Sequence, residues 1–270
     1  MKNKRLVIIL SVFSFLVLIA VLCSTVFTVK SVSLNWLTTR VNFVNMDNEI
    51  TKNVELGESV FLVDKDAIIQ KLERKYPYLK VVSAEVKFPN KLVLHAAERQ
   101  ELYSLKIKDN SYAILDSDCK VLKLVNDFQL NKMALKPIPL NLQGYSYNEN
   151  NFAVSEIAEL GWIKNIITNF SVALYQCGYQ EIDSKNNISA MTIDVGGYEN
   201  KIFVNMNYKN LAGDGGVTIE IQHISEKLSD KFVMAIGIYD TLSASQKSAG
   251  VVRVYSNGGV VAGEYIPEDQ

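Results

Sequence analysis

The sequence is poor in the residues on which covalent and metal chemistry are usually built. It has three cysteines and two histidines in 270 residues. Beyond Cys23 only Cys119 and Cys177 remain, so no framework of paired cysteines staples the fold, although one Cys119–Cys177 bridge stays geometrically possible. His95 and His223 fall in different halves of the chain, and no His/Cys/Asp spacing suggests a metal site. An excess of charge of either sign is also missing: 28 basic side chains face 29 acidic ones. With no positive field to steer phosphates, a broadly basic nucleic-acid binder is excluded. The composition, 48% hydrophobic and 21% charged, excludes a disordered tail and a collagen-like fibre. Long apolar runs are absent except for one, which excludes a polytopic transporter.

That one run explains a mean hydropathy of +0.07, high for so charged a chain. Lys2, Lys4 and Arg5 precede residues 6–29, which hold no charge until Lys30. About 20 apolar residues cross a bilayer at 1.5 Å each. A cleaved signal peptide would have an apolar region of about 7–15 residues and a small-residue cleavage site; this run is longer and no such site follows. A lipoprotein cysteine wants a small residue before it, and Leu22 precedes Cys23. Residues 6–29 are therefore expected to form an uncleaved transmembrane helix. Residues 1–5 would be cytoplasmic by the positive-inside rule, and everything from residue 30 would lie outside the membrane. Without the run, the mean hydropathy falls to about −0.2, ordinary for a soluble fold.

Residues 30–99 show a readable pattern. Val32, Leu34 and Trp36 alternate as in a half-buried strand. Residues 46–53 suit a short helix, with Asp47 and Glu49 in its first turn, and residues 61–63 a short strand. Asp64 is placed to cap a helix over 65–75, with Ala67, Ile68 and Leu72 on one face, and Pro77 ends it. Residues 81–87 and 91–97 alternate as two strands around Phe88–Pro89–Asn90. The expected order is β-α-β-α-β-β, with two helices on one face of a three-stranded sheet.

These residues resemble a known family. Gly57-Glu-Ser-Val-Phe-Leu-Val-Asp64, containing Phe61 and Asp64, the helix to Tyr76-Pro77, Val86-Lys-Phe-Pro-Asn-Lys-Leu-Val-Leu94, containing Pro89 and Leu92, and Glu98-Arg99 look like the POTRA domain of FtsQ/DivIB cell-division proteins. Tyr112-Ala-Ile-Leu-Asp116 followed by Lys120-Val-Leu122, then Leu135-Lys-Pro-Ile-Pro-Leu140 with Gly144, and finally Tyr255-Ser-Asn-Gly258, continue the likeness. Cys119 stands where the family has a turn glycine, Glu101 where it has proline, and Val254 where some members have arginine. The resemblance implies an α+β protein: a membrane helix (6–29), a POTRA domain (30–99), a mixed-sheet β domain with flanking helices (100–265) and a short tail (266–270).

The pattern of the second part is compatible. Residues 102–108, 111–115 and 121–124 read as strands, 135–151 as a loop, and 154–177 as a helix capped by Gly178. Residues 188–195 and 201–207 read as a hairpin, 217–221 as a strand and 224–240 as a helix. Residues 251–255 and 259–265 read as a final hairpin across Ser256-Asn257-Gly258.

No catalytic, cofactor-binding or metal-binding residue is expected. Asp64 and Asp66 read as a cap and a first-turn charge, and Asp116 and Asp118 as turn residues. Gly213-Asp-Gly-Gly216 opens onto no GK[ST] helix and reads as a turn. Function is then expected from surfaces. An exposed sheet edge can accept a partner's strand. The resemblance implies that the last strands bind small bitopic coiled-coil division proteins of the FtsB/DivIC and FtsL type. A septal transpeptidase and other divisome members would be further partners, at the septal membrane. The matching residues are Val251, Val252, Arg253, Val254, Tyr255, Asn257 and Gly258, with Tyr255 as the anchor. The alternatives are a chaperone-like POTRA factor in protein secretion or membrane-protein assembly, and an anchored wall hydrolase or transferase.

Overall fold

The protein is described here by a computed structural model that covers residues 2–197, 200–210 and 213–268. The side chains of Lys2, Lys4, Arg5 and Cys23, and residues 269–270 of the expected tail, lie outside the described residues. The chain divides into two compact units, Met1–Arg99 and Gln100–Gln270.

The first unit opens with helix α1, Lys2–Thr25. Its apolar side chains between Val7 and Val21 are exposed. Among the described residues, no helix is long and apolar enough to cross a membrane. The chain continues through β1 (Ser31–Trp36), α2 (Asp47–Thr51), α3 (Lys65–Lys75), β2 (Leu79–Lys87) and β3 (Lys91–Glu98). The sheet order is β1-β3-β2, with β1 parallel and β2 antiparallel to β3. Alternation along β3 sends Leu92, Leu94 and Ala96 into one core with Ile50 of α2 and Leu72 of α3.

Helix α3 is bounded as local chemistry dictates. The Asp64 carboxylate accepts from Ala67 N at 2.9 Å, and Asp66 and Arg74–Lys75 complement the helix dipole at its two ends. Tyr76 is extended, as a residue before proline prefers, and Pro77 follows. Residues 61–63 correct the expected order, because they form no strand. Only Ser59 makes a bridge, to Thr28, and the N–H groups of Leu62 and Val63 turn back onto Ser59 O. The Asp64 cap begins before three apolar residues can pair, and the order is β-α-α-β-β.

The second unit is a nine-stranded mixed sheet in the order β12-β11-β10-β9-β8-β7-β4-β5-β6. Its elements are β4 (Tyr103–Lys108), β5 (Ser111–Leu115), β6 (Val121–Val125), α4 (Asp127–Asn131), β7 (Ile138–Gln143), α5 (Ile163–Gln176), α6 (Glu181–Asn187), β8 (Ile188–Asp194), β9 (Lys201–Asn210), β10 (Gly213–Gln222), α7 (Leu228–Thr241), β11 (Val251–Asn257) and β12 (Val260–Ile266). Helices α5 and α7 pack together, with Phe170 and Phe232 at 5.0 Å between ring centroids, and both contribute to the core formed with the inner residues of the sheet.

Three local expectations give way here, and one open possibility is closed. Residues 135–151 are not all loop: Ile138 and Leu140 face the core as β7, and Pro139 is tolerated because pairing with β8 begins only at Leu140. The helix over 154–177 starts only at Ile163. Residues 155–158 instead run beside the start of β6, with Ser155 N on Val121 O at 2.8 Å and Ala158 N on Cys119 O at 2.9 Å. The glycine cluster 213–216 lies within β10 and is no turn. Cys119 and Cys177 are both free thiols, so the bridge is not formed. At the end of α5, Gly178 has φ +87°, its N–H donates to Tyr175 O, and Tyr179 N donates to Leu174 O, which satisfies two terminal carbonyls.

Replacing the fully buried Leu94 with alanine is expected to cost about 3 kcal/mol, and Asp64→Ala only about 1 kcal/mol. Chemical unfolding of the two variants, compared with the parent chain, checks the ranking.

Candidate interaction surface

The residues matched to the partner-binding stretch lie at one end of the nine-stranded sheet, but not on its edge. Strand β11 is flanked on both sides: parallel to β10 from Thr218↔Val251 to Ile221↔Val254, and antiparallel to β12. The edge is β12, one of whose backbone rows has no neighbour in the sheet order. Val252 and Val254 are fully buried in the core that α7 shares. They hold the strand in place and are not available as contacts, which corrects their assignment. Val251, Arg253 and Tyr255 alternate onto the other face.

Beyond Val254 the pairing with β10 stops, so Tyr255, Ser256 and Asn257 have only β12 beside them. Tyr255 is half-buried opposite Ala262, and Val260, opposite Asn257, is exposed. Strand β11 runs through Asn257, and the turn is Gly258–Gly259, both with positive φ (57° and 76°). Among the described residues, the Ser256 hydroxyl is buried without a hydrogen-bond partner. At this end Lys227 Nζ donates to Gly259 O, and at the other end of the hairpin Tyr265 Oη donates to Ala249 O at 2.8 Å. A Cβ at Gly263 would lie 2.6 Å from Ile238 Cδ1, so α7 packs closely on β12 here and a larger residue would require the Ile238 side chain to move.

A polar row crosses the face that bears Tyr255. Glu220 of β10 accepts from Lys201 Nζ at 3.1 Å, Gln222 Nε2 at 2.8 Å and Arg253 Nε at 3.0 Å. Burial raises the pKa of this carboxyl, but the three hydrogen bonds together outweigh it and leave the pKa below the ordinary value. Sequence reading missed this group because its members are far apart in the chain. Cross-strand alternation of charge is the signal that could have found it.

The remaining motif residues are placed structurally. The Glu98 carboxylate accepts from Val41 N at 2.6 Å and Asn42 N at 3.0 Å, tying down the segment before α2. Arg99 donates to Leu79 O at 3.2 Å and to Glu73 at 2.8 Å. Asp116 accepts from Asp118 N and Lys120 N, knitting the turn in which Cys119 adopts φ +61°, a conformation that favours glycine. Burial, with Asp116 nearby, pushes the Cys119 thiol up to about 12, so it is no nucleophile near neutral pH. Leu92 is in the core, and Pro89 lies in the turn between β2 and β3 after a cis peptide bond. Phe61 is exposed beside Phe27 and Phe88. His95 lies on β3 beside Asn35 and Glu85, and no group of three or more His, Cys, Asp or Glu that could hold a metal occurs among the described residues.

Comparison with known proteins agrees with this architecture. Residues 46–99 match the family described as "POTRA domain, FtsQ-type". Two relatives, both described as "Cell division protein DivIB", come from Clostridium botulinum strains Hall (ATCC 3502, NCTC 13319, Type A) and Loch Maree (Type A3). Each is 27% identical, over 96% of this chain and 92% of the relative.

Glu220→Gln is expected to lower stability near neutral pH. A carboxyl with a depressed folded-state pKa stabilises above its unfolded value of 4.5 and loses that contribution as the pH falls through the folded value. The deficit of the variant should therefore be full above about pH 5 and shrink below about pH 4. Thermal unfolding across this range checks the sign.

Proposed function

The chain belongs to the FtsQ/DivIB family of cell-division proteins, and from that premise we propose that it is a non-enzymatic scaffold of the divisome. In this reading residues 1–5 are cytoplasmic and residues 6–29 form a single-pass anchor in the cell membrane. Residues 30–99 and 100–266 are a POTRA and a β domain outside the membrane at the division septum; the expected tail at 266–270 begins one residue later, because Ile266 pairs with Val251 in β12. What supports the anchor is the sequence: residues 6–29 carry no charge, and a run of that length at 1.5 Å per residue matches a hydrocarbon core of about 30 Å. The β domain would bind bitopic partners of the FtsB/DivIC and FtsL type and help to assemble and regulate septal peptidoglycan synthesis, next to a septal transpeptidase.

The observation that carries the reading is the open end of the sheet: β12 with one free backbone row, and Tyr255–Asn257 of β11 without a second neighbour. An incoming segment gains main-chain hydrogen bonds along β12 and a rigid aromatic contact from Tyr255. Gly258 and Asn257 shape the turn beside it, and Arg253 and Val251 lie on the same face as Tyr255. The buried Ser256 hydroxyl lies at this same end. Nothing in the reading requires a cofactor or a nucleic acid.

Tyr255→Asp and Val260→Asp are each expected to weaken binding of the bitopic partner's extracytoplasmic segment by about tenfold or more without changing the unfolding midpoint. Affinity measurement with the full chain checks this, and unchanged binding in both variants removes the surface from consideration. Depletion in the source bacterium separates the scaffold from a secretion or assembly factor. Long cells without septa support the scaffold, and membrane-assembly stress with normal septa supports the alternative.

A further inference from the structure

Three aromatic rings from distant parts of the sequence meet at the foot of the first unit. Phe27, just past the end of α1 at Thr25, lies 5.5 Å from Phe61 and 6.3 Å from Phe88 between ring centroids, and Phe61 and Phe88 are 5.6 Å apart. Backbone contacts fix the meeting. Val60 N donates to Phe27 O at 2.8 Å, Thr28 bridges Ser59, and Lys30 N donates to Asn90 O at 2.8 Å. Loop 57–63 and the β2–β3 turn are thereby gathered around the point where the chain leaves α1.

Phe27 is half-buried against the core, and the rest of the cluster is open to solvent. Phe61 is 58% exposed, Phe88 64% and the adjoining Leu62 83%. A contiguous apolar patch of this kind on a folded domain marks an interaction surface. It is flanked by exposed lysines: Lys30 follows the exit segment, and Lys87 and Lys91 bracket the turn that carries Phe88.

We propose that Phe27, Phe61, Leu62 and Phe88 form a seat for the POTRA domain on an anionic phospholipid leaflet, at the headgroup level. The inference rests on the anchor reading above. The occupant follows from proximity in sequence: the exposed apolar side chains of α1 lie between Val7 and Val21, and the exposed Val26, just past the helix end, directly precedes Phe27. If α1 spans the bilayer, a surface this close in sequence to its end stays at the membrane boundary. Aromatic rings favour that depth, and the lysines meet the anionic headgroups. The seat restricts how the domain stands on its anchor, beyond what a flexible tether would do.

The test uses the full chain in vesicles of phosphatidylethanolamine and phosphatidylglycerol containing lipid brominated on its acyl chains. Phe61→Trp places a reporter in the seat. Leu37→Trp, past the far end of β1 and about 20 Å away at roughly 3.3 Å per strand residue, is the control. Subtracting the parent emission removes the contribution of Trp36 and Trp162. The remaining emission of the F61W variant is expected to be blue-shifted and quenched about twofold or more, and that of the L37W variant to be unaffected. Water-like, unquenched emission from F61W overturns the seat. Blue-shifted emission without lipid quenching also overturns it, because a second copy or the protein itself then covers the patch. Equal quenching in neutral phosphatidylcholine vesicles overturns the role given to the lysines. A wash in alkaline carbonate separates the two readings. Release of the chain from vesicles overturns the anchor, whereas retention with no quenching overturns only the seat.

Discussion

The C-terminal hairpin of the second unit depends on one pairing, the parallel register between β10 and β11. A tight turn cannot join parallel neighbours, so the chain must cross over the sheet, and α7 is that crossover. It leaves β10 through His223 and enters α7 past Lys227, two non-glycine residues with positive φ. Lys231 secures the exit. Its ammonium donates to Gln222 O at 2.9 Å and His223 O at 2.6 Å from a fully buried position. Burial holds its pKa below the ordinary value, and the two carbonyls offset part of that desolvation. The place of β11, and through it of the hairpin to β12, follows from this arrangement.

Much of the first unit was legible because its signals are local. The alternation in 91–97, the Asp64 cap and Pro77 each act within a few residues, and they locate β3 and α3 closely. In the second unit, Gly178 marks the end of α5 for the same reason. Residues 154–162 misled because Ile157 and Leu160 keep helical spacing. There, hydrogen bonding to β6 and left-handed backbone at Ser155 and Gly161 keep the segment out of a helix. Strand β7 was hidden by its proline and by the asparagine and glycine that follow.

The position of the candidate surface in the sheet was legible, and its strand arrangement was not. Residues 251–257 do lie at the end of the sheet, yet no local feature announces that a strand pairs in parallel with one more than thirty residues earlier. The edge therefore passes to β12. The same limit hid the Glu220–Lys201–Arg253 group and the Phe27–Phe61–Phe88 cluster, each assembled from segments brought together only by the fold. The carboxylates that sequence does single out are tied to backbone amides: Asp64 at a helix start, Glu98 across a loop and Asp116 within a turn.

The strap at residues 155–158 changes what the sheet can do as an assembly element. It runs against the start of β6 and blunts the side of the ribbon opposite β12. A sheet with two receptive sides could stack copy upon copy into a filament. With the start of β6 covered by its own chain and β12 left open, the two sides of this sheet are unequal, and strand addition is favoured at β12 over repetition from both sides.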